Sequence, residues 1–222
     1  MIKEVVHFFR HAPELIRLQR QLGKAQFFDL VSTRADAQGF ADQRRALVAD
    51  LPPRVLEVGC GTGAMFAYYE NGVEIDAIEP DSDFLELAVT KAKTVAARVR
   101  PARGDAMQLA FSDASFDAVI FGMVLCSVPD VDQVLAEAHR VLRPGGDLRA
   151  LEHVRSDGVV SGPMMDLVNP VWRLLNKQGC NMNRSPLPLL ERAGFAVEAL
   201  DRFQIFGELP AFPMQRIHAR RR

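Results

Sequence analysis

Leu56-Glu57-Val58-Gly59-Cys60-Gly61-Thr62-Gly63 is the stretch on which the reading of this chain turns. It completes an apolar, β-branched run, Arg54 to Val58, that reads as a buried strand, and its glycines fall where that strand should turn into a helix. Glycine here lets the backbone turn sharply and lets a ligand approach without a Cβ in the way, while the new helix would offer free N–H groups. A nucleotide-like ligand is implied. The spacing is G-x-G-x-G followed by Ala64, whereas the dinucleotide fingerprint is G-x-G-x-x-G, so a pyrophosphate is the poorer match. A purely structural turn is the alternative.

Outward from this loop, short β-branched runs ended by Gly, Pro or Asp alternate with stretches of helical period. Val73 to Glu79, Phe116 to Phe121 and Asp147 to Val154 read as strands, with Ala97 to Ala102 a weaker one. Asp83 to Ala97 and Val131 to Leu142 read as helices; in the second, Val131, Val134, Leu135, Ala138, Val141 and Leu142 mark one buried face. Strands alternating with helices mean βαβ crossovers and a parallel sheet covered on both faces. After Gly194, the runs Phe195 to Leu200 and Phe212 to Ala219 are joined by a Pro-bearing loop too short for a helical crossover, so an antiparallel pair closes the sheet. Residues 1–50 read as two or three helices, with Val5, Phe8, Phe9, Leu15, Ile16 and Leu18 on an apolar face interrupted at Pro13.

The 222 residues are 48% hydrophobic and 25% charged with net charge −1, which fits one soluble domain with a sizeable core. No run approaches the roughly 18 apolar residues of a membrane-spanning helix, and the N-terminus lacks a signal peptide's apolar core, so a cytoplasmic protein is expected. Cys60, Cys126 and Cys180 are far apart in sequence and form no C-x-x-C pair, which suggests reduced thiols and no metal. His7 and His11, one helical turn apart, lack a clear third ligand. Residues 1–54, 55–142 and 143–222 carry net charges of +3, −8 and +4. The acidic middle argues against nucleic acid, while Arg220, Arg221 and Arg222 could touch an anionic surface or form a solvated tail.

Two further strand ends carry chemistry. Glu79, followed by Pro80 and Asp81, can accept hydrogen bonds from both hydroxyls of a ribose, or it is a strand-end acid beside the next helix, for which Asp81 is the better cap. At Gly104-Asp105-Ala106-Met107, Asp105 can accept from an adenine amine while Met107 packs on the ring. Together with the glycine loop, these elements converge on the crevice where open α/β sheets bind ligands.

Glu57 to Gly63, Glu79, Gly104-Asp105-Ala106, the strand Phe116 to Ile120, and Leu142-Arg143-Pro144-Gly145-Gly146 resemble, in order, the motifs of Class I S-adenosylmethionine-dependent methyltransferases. The resemblance covers roughly residues 52–155 and implies a Rossmann-like α/β sheet of seven strands, mostly parallel with an antiparallel last strand and helices on both faces. It implies S-adenosyl-L-methionine as cofactor and S-adenosyl-L-homocysteine as product. The implied cofactor set is Glu57, Gly59, Cys60, Gly61, Gly63, Glu79, Pro80, Asp105, Ala106, Met107, Gly122 and Met123. Within it the glycine loop faces the methionine part, Glu79 holds the ribose, and Asp105 with Ala106 borders the adenine. The chain would divide into N-terminal helices acting as a lid (1–50), a cofactor-binding core (51–155), and a substrate-side insertion with closing strands (156–222).

A narrower likeness follows. Leu125-Cys126-Ser127-Val128, Glu152-His153-Val154, Pro170-Val171-Trp172, Gly179-Cys180-Asn181 and Glu191-Arg192-Ala193 resemble the branch containing the microsomal alkyl thiol methyltransferases of animals. Those relatives carry a hydrophobic N-terminal anchor where this chain has an amphipathic, charged stretch, and phospholipid and quinone methyltransferases share parts of the pattern. Methyl transfer to a small acceptor is expected, with a thiol favoured. N-, O- or C-methylation of a phospholipid head group, a quinone or another metabolite is the alternative. A nicotinamide-dependent oxidoreductase on the same sheet, or a cofactor-binding protein without catalysis, are readings from other classes. Peripheral membrane contact, and a monomer or homodimer, fit equally.

Methyl transfer is an in-line displacement, so positioning and exclusion of water matter most. His153, at the end of the fifth strand beside Glu152, is the candidate proton acceptor, or it orders the following loop. Cys126, Trp172 and Asn181 are candidate substrate-binding residues; for Cys126 and Trp172 simple core packing is the competing reading. Met164, Met165 and Trp172 lie in the insertion from Arg155 to Arg184 that, with the N-terminal helices, should form the acceptor pocket and its lid.

Overall fold

Val55, Leu56 and Val58 are fully buried, as a strand of a sheet covered on both faces requires. A computed structural model of the chain describes residues 14, 17–175, 179–204 and 213–222. Seven strands form one sheet: β1 Arg54–Val58, β2 Glu74–Glu79, β3 Arg98–Arg103, β4 Phe116–Gly122, β5 Leu142–His153, β6 Phe195–Gln204 and β7 Pro213–Arg221. Their order is β3-β2-β1-β4-β5-β7-β6. The first five strands run parallel, and β7 is antiparallel to both β5 and β6. The register aligns Val58 with Ile78 on one side and Phe121 on the other, and Gly122 with Leu151. Gly59, Glu79, Met123 and the end of β5 therefore share one rim.

Side chains alternate across the sheet with period two and define two cores. Leu56, Val58, Val119, Phe121, Leu148 and Ala150 pack with Val134, Leu135, Ala138 and Leu190 on one face. Val55, Ile75, Ala77, Ile120 and Leu151 pack with Leu47, Phe66 and Ala88 on the other. Helices among the described residues include α1 Lys24–Ala35, α2 Ala41–Leu47, α3 Ser82–Ala92, α4 Val131–Val141, α5 Ser161–Leu175 and α6 Pro186–Arg192. Asp81 caps α3 by accepting from the Asp83 N–H, and Asp130 caps α4 by accepting from the Gln133 N–H.

Three expectations change. No α-helix follows the glycine loop: the chain makes turns and a single 3-10 segment, Phe66–Tyr68. Gly59, Gly61 and Gly63 all have positive φ, and left-handed residues at every second position keep a right-handed helix from forming there. Helix α3 ends at Ala92 rather than Ala97, the N–H groups of Lys93 and Thr94 just beyond it bonding back to the carbonyls of Thr90 and Lys91. Strand β5 begins at Leu142, not Asp147, because Leu142 pairs with Phe116 ahead of a register shift that absorbs the Pro-Gly-Gly turn.

Between α1 and α2 the helical path is broken at Gln38 and Gly39, the latter at φ 107°. Val5, His7, Phe8, Phe9, His11, Pro13, Leu15, Ile16 and the Pro-bearing loop 205–212 lie outside the described residues. No described helix is long and apolar enough to cross a membrane. Helix α5 nevertheless turns Met164, Leu167, Val171 and Leu174 toward solvent.

Candidate active site

The glycine loop is shaped by what its neighbours leave no room for. A Cβ on Gly59, at φ +69°, would stand 2.7 Å from Val124 Cγ2, and one on Gly63 would meet the Phe66 ring at 2.7 Å. Glu79 accepts the Gly61 N–H at 2.9 Å and the Asp81 N–H at 3.1 Å. Burial raises its carboxyl above the ordinary range, opposed by these two backbone donors. Glu57 sits beneath the loop, buried, and accepts the Tyr69 hydroxyl at 2.8 Å. Desolvation pushes the Glu57 carboxyl up to about 8. Cys60 is buried and Pro80 exposed. Asp105 is exposed and closes its own turn by accepting the Met107 N–H at 2.8 Å, with Ala106 half-buried between them.

Helix α1 lies across this loop. Asp29 accepts from the Thr62 hydroxyl and forms an ion pair with Lys91, while Lys24 pairs with Asp81 at 3.0 Å. The Phe28 ring approaches Gly61 and stacks at a tilt on Phe84, with centroids 5.3 Å apart. None of Asp29, Thr62, Phe28 and Phe84 was singled out by the sequence, because their meeting depends on how α1 crosses the sheet.

At the neighbouring strand ends the chain leaves Gly122 through Met123, which holds φ 65°. Such a non-glycine conformation is costly and clusters at functional rims. Buried Glu152 secures the following loop by accepting the N–H groups of Val124, Leu125 and Cys126 at 2.8, 2.9 and 3.3 Å. His153 is 3% exposed. Its Nε2 lies 3.1 Å from the Asn181 carbonyl oxygen, and the Cys180 sulfur stands 3.3 Å from Nε2 and 3.5 Å from Nδ1.

Asn181 ties the two segments together. Its backbone N–H and side-chain amide donate to the Cys126 carbonyl at 2.8 and 3.1 Å. Trp172 lies beside the Cys180 sulfur and works to lower its pKa. The candidate residues Cys126, His153, Trp172 and Asn181 thus meet around Cys180, which the sequence reading did not single out; its only signal was the Gly179-Cys180-Asn181 element of the resemblance. The hydrogen bond from Cys126, then the His153 contact, lower the Cys180 pKa, while Cys126 moves upward. Burial works to lower the His153 pKa, but the Cys180 contact overrides it and the net direction is up. The space among Leu125, Cys126, Glu152, His153, Arg184, Pro186 and Leu189 has no room for a water molecule. Further along the rim, a cavity of about 330 Å³ opens beside Val154, Arg155, Arg202 and Met214.

The motif-bearing strand ends sit on one seven-stranded sheet, and residues 56–150 match the methyltransferase domain family. The chain is 36% identical over 158 residues to thiol S-methyltransferase TMT1A of Homo sapiens, a match covering 68% of this chain and 63% of that protein. It is 38% identical over 125 residues to a demethylmenaquinone methyltransferase of Lactiplantibacillus plantarum, covering 54% and 50%. It is also 32% identical over 128 residues to a phosphatidylethanolamine N-methyltransferase of Cereibacter sphaeroides, covering 57% and 62%. The chain therefore spans less than two thirds of these relatives. A methyltransferase structure from Thermotoga maritima superimposes with a TM-score of 0.63 at 22% identity, covering 97% of this chain and 99% of that one. At that identity the likeness speaks for the fold alone.

Proposed function

We propose that this chain transfers a methyl group from S-adenosylmethionine to the sulfur of a small thiol. The observation that carries methyl transfer is the rim itself: a glycine loop at positive φ, the Glu79 carboxylate upon it, and the strained Met123 beside it. The residues present fit the cofactor, since Glu79 presents its carboxylate to hydrogen-bond donors at the glycine loop. Bound S-adenosylmethionine supplies an activated sulfonium methyl. Glu79 would hold the ribose hydroxyls, Asp105, Ala106 and Met107 the adenine, and Gly59 to Gly63 the methionine end. Helix α1, latched through Asp29, would exclude water from that side.

The thiol preference rests on the 36% identity to the human thiol methyltransferase. It also rests on chemistry: a thiol with a reference pKa near 8.5 is partly ionised at neutral pH and needs modest help, whereas a hydroxyl needs a strong base. A positive donor and a negative sulfur neutralise one another in the transition state, which a dry rim favours. The Cys126, His153 and Cys180 nest is where that help sits, His153 acting through Cys180 because its own ring is buried. Quinone and phospholipid acceptors form the second reading, favoured by the names of the other relatives. Release of S-adenosylhomocysteine across thiols, amines, phenols, quinols and phospholipid vesicles tests both. Turnover with thiols is expected; a response to vesicles or quinols alone overturns the thiol reading.

A further inference from the structure

Three separate parts of the fold each bring one side chain to a common point: Cys126 from the loop after β4, His153 from the tip of β5, and Cys180 from the segment after α5. Their candidate ligand atoms all lie within 4.8 Å of one another. The Cys180 sulfur is 3.5 Å from His153 Nδ1. A sulfur at about 2.3 Å and a nitrogen at about 2.0 Å from one tetrahedral zinc ion stand roughly 3.5 Å apart, the length of this edge; because the same sulfur is 3.3 Å from Nε2, ligation through Nδ1 also requires the Cys180 side chain or the imidazole to rotate.

The surroundings match as well. With its proton on Nε2, His153 donates to the Asn181 carbonyl oxygen, and Nδ1 is the ring nitrogen that would ligate a metal. Backbone carbonyls orient metal-bound imidazoles in this way. Asn181 also binds the Cys126 carbonyl, which holds the two cysteine segments in fixed relation. The nearby Glu152 carboxylate is committed to three backbone N–H groups and does not enter the donor set. Two sulfurs and one imidazole select zinc over magnesium or calcium.

We propose that Cys126, His153 and Cys180 form a three-ligand site for Zn²⁺ whose remaining tetrahedral position takes the sulfur of the acceptor thiol. The acceptor half of this inference rests on the thiol-methylation reading above. Zinc sites with three protein ligands keep a position for water or substrate. Both cysteines bind as thiolates, releasing their protons to solvent, and an incoming thiol does the same. The coordinated sulfur then forms the new S–CH3 bond while the sulfonium C–S bond breaks, its electron pair staying with the departing sulfur. The product is a neutral thioether, a far weaker ligand than the thiolate it replaces, and it leaves. Cys126 and His153 are buried and Cys180 partly exposed, so access is from the Cys180 side.

The test uses the full chain, purified without a histidine tag, reduced, freed of metal with a chelator, and titrated with Co²⁺. One equivalent should give tetrahedral cobalt bands with sulfur-to-cobalt charge transfer, and Zn²⁺ should displace it. Cys180→Ser should weaken Co²⁺ binding by more than the roughly 10- to 100-fold that losing a supporting group costs. Because core variants can misfold, the wild-type spectrum decides: no sulfur charge transfer, or cysteines that remain fully reactive toward a thiol reagent in the presence of Zn²⁺, overturns the site. Addition of an acceptor thiol without S-adenosylmethionine should shift the cobalt bands; bands that form but do not move overturn the acceptor role. If the metal binds and no thiol is methylated, the functional reading falls and metal ligation stands.

Discussion

The Glu79 carboxylate is committed to two backbone N–H groups while facing the mouth of the cofactor crevice. Replacing it by alanine should weaken S-adenosylmethionine binding by about 1–3 kcal/mol, the scale for charge-assisted hydrogen bonds, as measured by calorimetry. Unchanged affinity would remove Glu79 from the site. Glu57 yields a pH effect instead. Its carboxyl titrates near 4.5 when unfolded and near 8 when buried, so between those values the folded chain holds a proton that the unfolded chain has released. The stability it contributes is complete below about pH 4.5 and is lost as pH rises toward 8, with a slope approaching about 1.4 kcal/mol per pH unit. Urea denaturation at a series of pH values should show this decline in the wild type and a flatter profile for Glu57→Gln. Glu79 and the glycines were legible because their roles follow from position at strand ends. Cys180 was not, since its partners Cys126 and His153 are remote in sequence and only the fold brings them together.

Among the elements, strands were read to within a few residues because each is a short apolar run bounded by turn formers. The segment after β1 was misread, since the same glycines that announce a ligand also forbid the helix expected there. Neither did periodicity reveal that α1 crosses the glycine loop: its attachment is polar, through Asp29 to Thr62 and Lys91. Asp29→Ala should loosen α1 by about 1–2 kcal/mol, allowing for the partial exposure of the pair. Hydrogen exchange over residues 24–35 should quicken while the amides of β1 and β4 stay protected. Equal protection in α1 would show that packing of Phe28, not the latch, holds the helix.

For the whole molecule, arginines on the sheet hold the N-terminal helices, Arg216 through Gln43 and Arg149 through backbone carbonyls. Arg149 on β5 donates to the carbonyl oxygens of Leu47, Ala49 and Asp50, just past the end of α2. Arg149→Met keeps much of the apolar stem but leaves those carbonyls without their cation, and should cost about 1–3 kcal/mol in chemical denaturation. A change within experimental error would mean that water replaces the guanidinium. The seven-stranded plan was what the family resemblance implied, whereas the reversed strand was legible because a short connection cannot make a parallel crossover. Which helix faces which end of the sheet was not, because this depends on contacts such as Arg149 that leave no local pattern.

The strand order has a consequence for synthesis. Among the described residues strand β6 bonds only to β7, and β7 comes later in the chain. On the ribosome, β6 must therefore wait unpaired while β5 also shows a bare edge. The nascent chain is most exposed to misassembly or chaperone capture during that interval, when its cofactor half can already have formed.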